Sequence, residues 1–326
     1  MNCYLCRIVI LLFLLLFSGC REAEAEPPEN APDAPVEVSA QQVETTEPTA
    51  TVQPATTPSE QWQIIKELRP EHKPKYAAFM NELFGITGCG SNIQPSFTAD
   101  GGQTWNRPVM GQFCPDSVDI VDGRSIWLCN AFGVFTSKDG GRSLTQMYSP
   151  YDGCRILSFA DDQNGWSSFD WNLAATSDGA LRWVDVEKDF AMGDISALNL
   201  RTPQEGYVLT YDGILFVTNN AGESWTPIDL EIVSDDMRIA NFDGRPPSAV
   251  QFQDPDNGII ILAMAGRGNT QFLALHTEDG GQSWERHDLP LNLGPVYLSQ
   301  DGRFLTVTEL GGAGGITILE NQSLAN

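Results

Sequence analysis

The chain has 326 residues, 43 Asp and Glu against 19 Lys and Arg, and a net charge of −24 with a pI near 4.3. Nucleic-acid affinity rests on Lys and Arg neutralising phosphate, and a polybasic membrane contact needs the same surplus, so the charge argues against both. Charged residues at 19%, aromatics at 10% and 30 glycines suit a folded chain of many strands joined by tight turns.

Residues 1–19 are expected to be a signal peptide of the lipoprotein type. Arg7 is their only charge, and Ile8 to Phe17 is a ten-residue apolar run, too short to span a membrane. Phe17-Ser18-Gly19-Cys20 resembles a bacterial lipobox with Phe where Leu is usual. That resemblance implies a diacylated Cys20 as the mature N-terminus; ordinary secretion with an incidental Cys is the second reading. Residues 20–60 are expected to be the lipidated Cys and a disordered acidic tether. From 21 to 60 there are nine acidic residues, one Arg, no aromatic and no apolar period, too little to offset chain entropy. The remainder, 61–326, is expected to be the folded domain and is acidic in its own right, with 34 acidic and 17 basic residues.

From Trp62 a repeat takes over. Thr98–Trp105 reads TADGGQTW, Ser137–Leu144 SKDGGRSL, Thr176–Trp183 TSDGALRW, Thr218–Trp225 TNNAGESW and Thr277–Trp284 TEDGGQSW. Each suits a turn in which Asp or Asn accepts backbone amides, Gly supplies positive φ, and a Trp (Trp105, Trp183, Trp225, Trp284) plugs the apolar layer beside it. The turn positions Asp100, Asp139, Asp178, Asn220 and Asp279 step by 39, 39, 42 and 59. A second pattern recurs out of phase: an apolar strand, a polar turn, and a strand opening on Trp127, Trp166, Tyr207, Ile259 or Phe304. A period near 40 residues is the size of one four-stranded propeller blade.

The expected fold is all-β, a six-bladed β-propeller, with seven blades as the alternative. The sixth unit has a third strand near Gly315–Leu319 but no turn motif or fourth strand after it. Trp62–Leu68 lies one period before Trp105 and is expected to supply that strand, a short helix being the rival reading. The excess in the 59-residue step falls between Glu231 and Pro247; a functional loop and a tolerated insertion weigh equally.

Four cysteines remain in the domain. Cys89 and Cys129, and likewise Cys114 and Cys154, are 40 residues apart, at equivalent points of adjacent blades. The repeat-symmetric pairing is Cys89–Cys114 with Cys129–Cys154, and Cys114–Cys129 within one blade is the rival. The three histidines, at 72, 276 and 287, lie far from them, which argues against zinc.

The turn motif resembles the Asp-box (BNR) repeat of sialidase-like propellers. Phe159-Ala-Asp-Asp-Gln-Asn-Gly-Trp166 and Phe135-Thr-Ser-Lys-Asp-Gly-Gly-Arg-Ser143 are similar to the photosystem II stability/assembly factor-like propellers, of the wider WD40/YVTN-like repeat class. The resemblance covers roughly 62–319 and implies a non-enzymatic, export-side scaffold that binds protein, with no binding residue to carry over. A sialidase would need an arginine cluster, a Tyr–Glu pair and an FRIP-type motif before Thr98, where nothing resembles one. Carboxylate pairs such as Asp161/Asp162 and Asp235/Asp236 read as solvated turn residues, and Gly311–Gly315 as a hairpin turn. No catalytic residue, metal ligand or cofactor is assigned. The expectation is a monomeric, lipid-anchored envelope protein facing the periplasm or cell exterior, on the outer membrane where there are two, engaging a protein partner. The alternative is a glycan-binding or sialidase-like propeller using Trp such as Trp166 or Trp171.

Overall fold

Six short apolar strands open the six repeats: Ala77–Phe79, Ser117–Ile120, Ile156–Phe159, Ile195–Leu200, Ser248–Phe252 and Val296–Leu298. Nearly every residue in them is buried, on both faces, so each must be covered from both sides. The computed structural model, describing residues 50–52, 61–88, 94–108, 113–151, 153–170, 172–187, 194–234, 236–242, 246–267, 270–292, 294–309 and 314–325, meets that demand with a closed ring of six blades. These strands (A) line the axis, and strands B, C and D of each antiparallel blade follow outward. In blade 4 they are Gly206–Thr210, Ile214–Thr218 and Thr226–Asp229. In blade 1 the fourth strand is reduced to a bridge between Phe97 and Asn106. Residues 1–19, Cys20, Cys89, Trp171, Asp235 and 311–313 lie outside the described residues.

Among the described residues, burial is divided among layers between adjacent blades. One layer joins Tyr207 and Leu209 of blade 4 to Val250, Phe252 and Trp284 of blade 5, and another joins Trp127 of blade 2 to Leu157 and Phe159 of blade 3. The Phe-x-Asp-x-x-x-Gly pattern of blades 3 and 5 builds these layers. In blade 3, Phe159 ends strand A, Asp161 Oδ1 accepts the amides of Gln163 and Asn164 at 2.7 and 2.8 Å, and Gly165 opens strand B. A Cβ on Gly165 would stand 2.4 Å from the Phe159 ring; on Gly258 it would meet Phe252 at 2.5 Å. The freed ring lies flat on the preceding blade's strand B: Phe159 on Trp127 at 3.8 Å and 2°, Phe252 on Tyr207 at 3.8 Å and 3°. Asp161/Asp162 are thus turn residues, Asp162 pairing with Lys138 at 2.5 Å.

The C–D turns are equally regular. In blade 1 Thr98 Oγ1 accepts the Gly102 amide at 2.8 Å, while Asp100 accepts the Thr104 amide at 2.9 Å and hydroxyl at 2.6 Å. Asp139, Asp178, Asn220 and Asp279 accept the corresponding amides at 2.9–3.0 Å. Gly101 and Gly102 take φ of 71° and 86°, which a side chain would strain.

The ring is closed from the N-terminal side. Trp62–Leu68 pairs antiparallel with Ile316–Asn321, strand C of blade 6, in a register from Trp62↔Asn321 to Leu68↔Ile316 with a bulge after Ile64. The rival helix fails because a lone helix cannot satisfy the backbone of that last strand. Cys129 and Cys154 form a disulfide between blades 2 and 3 with Cα atoms 5.6 Å apart; Cys114 is also disulfide-bonded.

Two segments depart from the expectation. The excess after Leu230 is not a bare loop. Strand B of blade 5 runs nine residues, Gly258–Gly266, so Ser248–Phe252 covers only its first part, and Met237–Ile239 pairs with its overhang. The segment expected to be a tether is not wholly free of the domain either, since Ala50–Val52 packs on blade 5. Thr51–Val52 adds parallel to strand D of blade 5 (Thr51↔Ser283, Val52↔Trp284). The Ala50 amide donates to Asp229 O at 3.2 Å, and that of Thr51 to Gln282 O at 3.3 Å. Composition hides this, because edge addition needs only backbone and one or two small apolar side chains.

Two stability predictions follow. Gly165→Ala, which must push the Phe159 ring off Trp127, should cost about 1–3 kcal/mol, read as a lower midpoint in urea; an unchanged midpoint would refute the wedge. Deleting 21–49 should leave Tm unchanged, whereas deleting 21–58 should remove about 1–2 kcal/mol of burial and hydrogen bonding. Deleting 21–70 should abolish the cooperative transition.

Candidate functional site

The axis comes first, since propeller channels often hold ligands. All six A strands reach it, and a belt of polar side chains passes hydrogen bonds from blade to blade. Asp119 Oδ2 accepts the Phe159 amide at 2.7 Å, Ser158 Oγ that of Leu200 at 3.0 Å, and Asn199 Oδ1 that of Phe252 at 3.0 Å. Gln300, in the A–B turn of blade 6, donates to Phe159 O at 2.8 Å and Asp119 Oδ1 at 3.3 Å. The axial space left is about 50 Å³, lined by Tyr76, Asp119 and Tyr297 among others, enough for a water or two. Burial pushes the Asp119 carboxyl up to about 6 against the amide and Gln300 bonds. Burial, then the nearby Asp119, also raises both tyrosines.

One face carries the B–C turns and the D–A links. On one side stands the wall of blade 5, strands Gly258–Gly266 and Thr270–Thr277 with Met237–Ile239. Ile239, Ala240 and Phe242 are packed beneath it. Diametrically opposite, the B–C turn of blade 2 holds Phe132 at 82% exposure, and the link to blade 3 holds Tyr148 at 70%. They are neighbours through Gln146, whose amide reaches Phe132 O at 3.5 Å. Beside them Arg155 pairs with Asp170 at 3.2 Å over the Phe169 ring, and Tyr151 donates to Asp185 Oδ1 at 3.0 Å.

The opposite face carries the A–B and C–D turns. The hydroxyl and amide of Thr104 hold the Asp100 carboxyl down to about 2, and Ser283 lowers Asp279 likewise. A recess of about 390 Å³ opens there between blades 5 and 6, with His276, Glu285, Gln61 and Ser323 on its wall. The Trp62 indole N–H lies 3.3 Å from His276 Nε2, and the Gln61 amide nitrogen lies 3.3 Å from its Nδ1. Burial first, then His287, pulls His276 down to about 4.

The turn residues named from sequence are therefore dispersed around the rim, one per blade, and do not converge. Their tryptophans pack on strand A of their own blade: Trp105 edges onto Phe79, Trp183 onto Phe159 and Trp284 onto Phe252. Trp166 is 2% exposed and packs 5.6 Å from Trp225, so it is no sugar platform. Asp119, Gln300, His276 and the Phe132–Tyr148 pair escaped the sequence reading. Only Asp119 had a signal, a carboxylate in the middle of an otherwise apolar strand.

No protein-family model matches the chain, and no curated protein does. Among solved structures, the U3-55K structure is 10% identical over 81% of this chain and 99% of its own, with a TM-score of 0.55. The GH74 xyloglucanase from Xanthomonas campestris is 15% identical over 76% of this chain and 45% of its own, TM-score 0.51. YCF48 bound to D1 peptide is 18% identical over 82% of this chain and 98% of its own, TM-score 0.49. At these identities the likeness of the first two is one of fold, and the chain is a six-bladed β-propeller.

Two buried groups titrate in opposite senses. Asp119 has a folded pKa above its unfolded value, so its contribution is present below about 4 and lost as pH rises through about 6. His276 has a folded pKa below its unfolded value, so its contribution is present above about 6.5 and lost as pH falls toward about 4. Between pH 4 and 7 the two offset, and single variants separate them. Asp119→Asn should gain stability relative to the parent as pH rises, and His276→Gln as pH falls; parallel melting profiles would refute the assignment.

Proposed function

We propose that the protein is a non-enzymatic, protein-binding scaffold of the cell envelope that works through the face carrying the B–C turns. The observation that carries this is the raised wall of blade 5, where Met237–Ile239 extends the sheet beyond the ring across from the exposed Phe132 and Tyr148. With about 50 Å³ left on the axis, a partner larger than water meets the disc on its surface. A packed wall facing an exposed aromatic pair is suited to a folded or extended protein. Aromatic rings supply much of the contact energy in such interfaces.

The rest of the reading comes from the sequence. We read the five C–D turns as Asp boxes and the chain as similar to the photosystem II stability/assembly factor-like propellers. A lipid on Cys20 and an acidic tether would hold a monomeric disc beside the membrane, raising its effective concentration toward a membrane-bound partner. The outer membrane is favoured in a two-membrane cell, and neither nucleic acid nor a cofactor is involved. The competing reading is a glycan-active propeller, for which Phe132 and Tyr148 would be the stacking platform.

The test is crosslinking in intact envelopes followed by recovery of the chain. A specific protein should be recovered at high salt, and Phe132→Ala/Tyr148→Ala should reduce its yield about tenfold, the loss of roughly 1.4 kcal/mol. Both residues are exposed, so folding is spared. Turnover of sialosides or other glycosides by the purified chain, abolished by a single Tyr or carboxylate substitution, would overturn the scaffold.

A further inference from the structure

The docked tether shows what a gap between two blades can hold. Ala50 and Thr51 donate to Asp229 O, four residues after Trp225, and to Gln282 O, two before Trp284. Ala50 is 2% exposed there, and Trp284 is 1% exposed. The other three tryptophans of the C–D turns, each lacking such a segment among the described residues, are only half-buried.

The gap between blades 3 and 4 repeats that geometry one blade back. Glu187, four residues after Trp183, stands where Asp229 stands, and Glu223, two before Trp225, where Gln282 stands. Val186 lies against Gly222 as Ile228 lies against Gly281: a Cβ on either glycine would meet it, at 2.7 and 3.2 Å. No described residue fills the site. Instead there is a recess of about 440 Å³ lined by Ala175, Val184, Val186, Glu187, Ala221 and Glu223. A second recess of about 440 Å³ shares Ala175, Val184 and Ala221 with it and prolongs it along the blade. Val184 is 71% exposed on its floor. The Trp225 indole N–H is buried with no acceptor among the described residues, whereas that of Trp183 reaches Tyr148 O at 2.9 Å and that of Trp284 reaches Gly281 O at 3.1 Å.

We propose that this recess is a docking site for an extended segment of a partner protein. The segment adds by its backbone beside the start of strand D of blade 4, as Thr51–Val52 does on blade 5. Its chemistry follows from the lining. A small apolar or β-branched residue covers Val184, and Lys or Arg at the ends meets Glu187 and Glu223, both exposed on the rim. The related gap between blades 6 and 1 sets Arg69 and Arg107 beside Glu71, so it matches the same basic segment less well. The inference rests on the scaffold reading and assigns it a second contact, away from Phe132 and Tyr148.

The probe is a labelled Lys-Thr-Ala-Thr-Val-Lys peptide, with Glu-Thr-Ala-Thr-Val-Glu as control, titrated into the full chain by fluorescence anisotropy. The basic peptide should bind at least about tenfold more tightly, more weakly as salt rises, and should protect the amides of 184–187 and 223–226 from hydrogen exchange. Glu187→Lys/Glu223→Lys, at exposed positions, should melt as the parent does and reverse the preference. No binding at about 1 mM peptide, equal binding of both peptides, or an unreversed preference overturns the site. Failure here with an envelope protein still recovered through the Phe132 face leaves the scaffold standing; a bound peptide with no recoverable partner brings down the scaffold reading and keeps the site.

Discussion

An aromatic ring lying over a glycine is the contact on which this ring of blades depends. Phe159 over Gly165 and Phe252 over Gly258 occupy space a single methyl group would close. Because the glycine yields, the ring can flatten onto the strand B aromatic of the blade before it, at 3.8 Å in both cases. That stack joins neighbouring blades, and the tryptophan of the same blade's C–D turn packs edge-on against the ring. The glycine's lost side chain costs local stability, and the inter-blade stack more than offsets it.

Burying the A strands on both faces creates a second demand, since their amides cannot turn to water. The belt of Asp119, Ser158 and Asn199 answers it by capping, in each case, an amide one blade further on. A six-membered ring brings these strands close enough that little axial space survives. Asp119 is the charged exception: burial raises its pKa while Phe159 and Gln300 keep it bonded. The closing strand Trp62–Leu68 gives the last blade the partner its edge needs, tying one end of the domain to the other.

A disc with a filled axis has to act through its faces and its rim. The wall of blade 5 and the Phe132–Tyr148 pair occupy one face, and the gaps between blades notch the rim. These gaps are where strand D of one blade runs toward the C–D turn of the next, leaving backbone carbonyls turned outward. The chain fills one of them with its own Ala50–Val52. Rim and face are separate surfaces, so a partner can be held by an extended tail and a folded body together.

The blade count, the turns and the closing strand were legible because they are local and repeated. Thr98–Trp105 or Phe159–Trp166 carries its hydrogen-bond acceptors, glycines and ring within eight residues, and a period near 40 turns weak signals into one strong one. The site features were not legible, because each joins residues far apart in the chain. Gln300 meets Asp119 across 181 residues and Trp62 meets His276 across 214. Thr51–Val52 reads as tether and Met237–Ile239 as loop, since two or three residues of ordinary strand propensity say nothing until an edge is offered to them. The sequence by itself determined the blade, through glycine, turn acceptor and aromatic in fixed order. Only the tertiary structure decided what lies between blades, because backbone edges and shared recesses exist only once neighbouring sheets have been brought side by side.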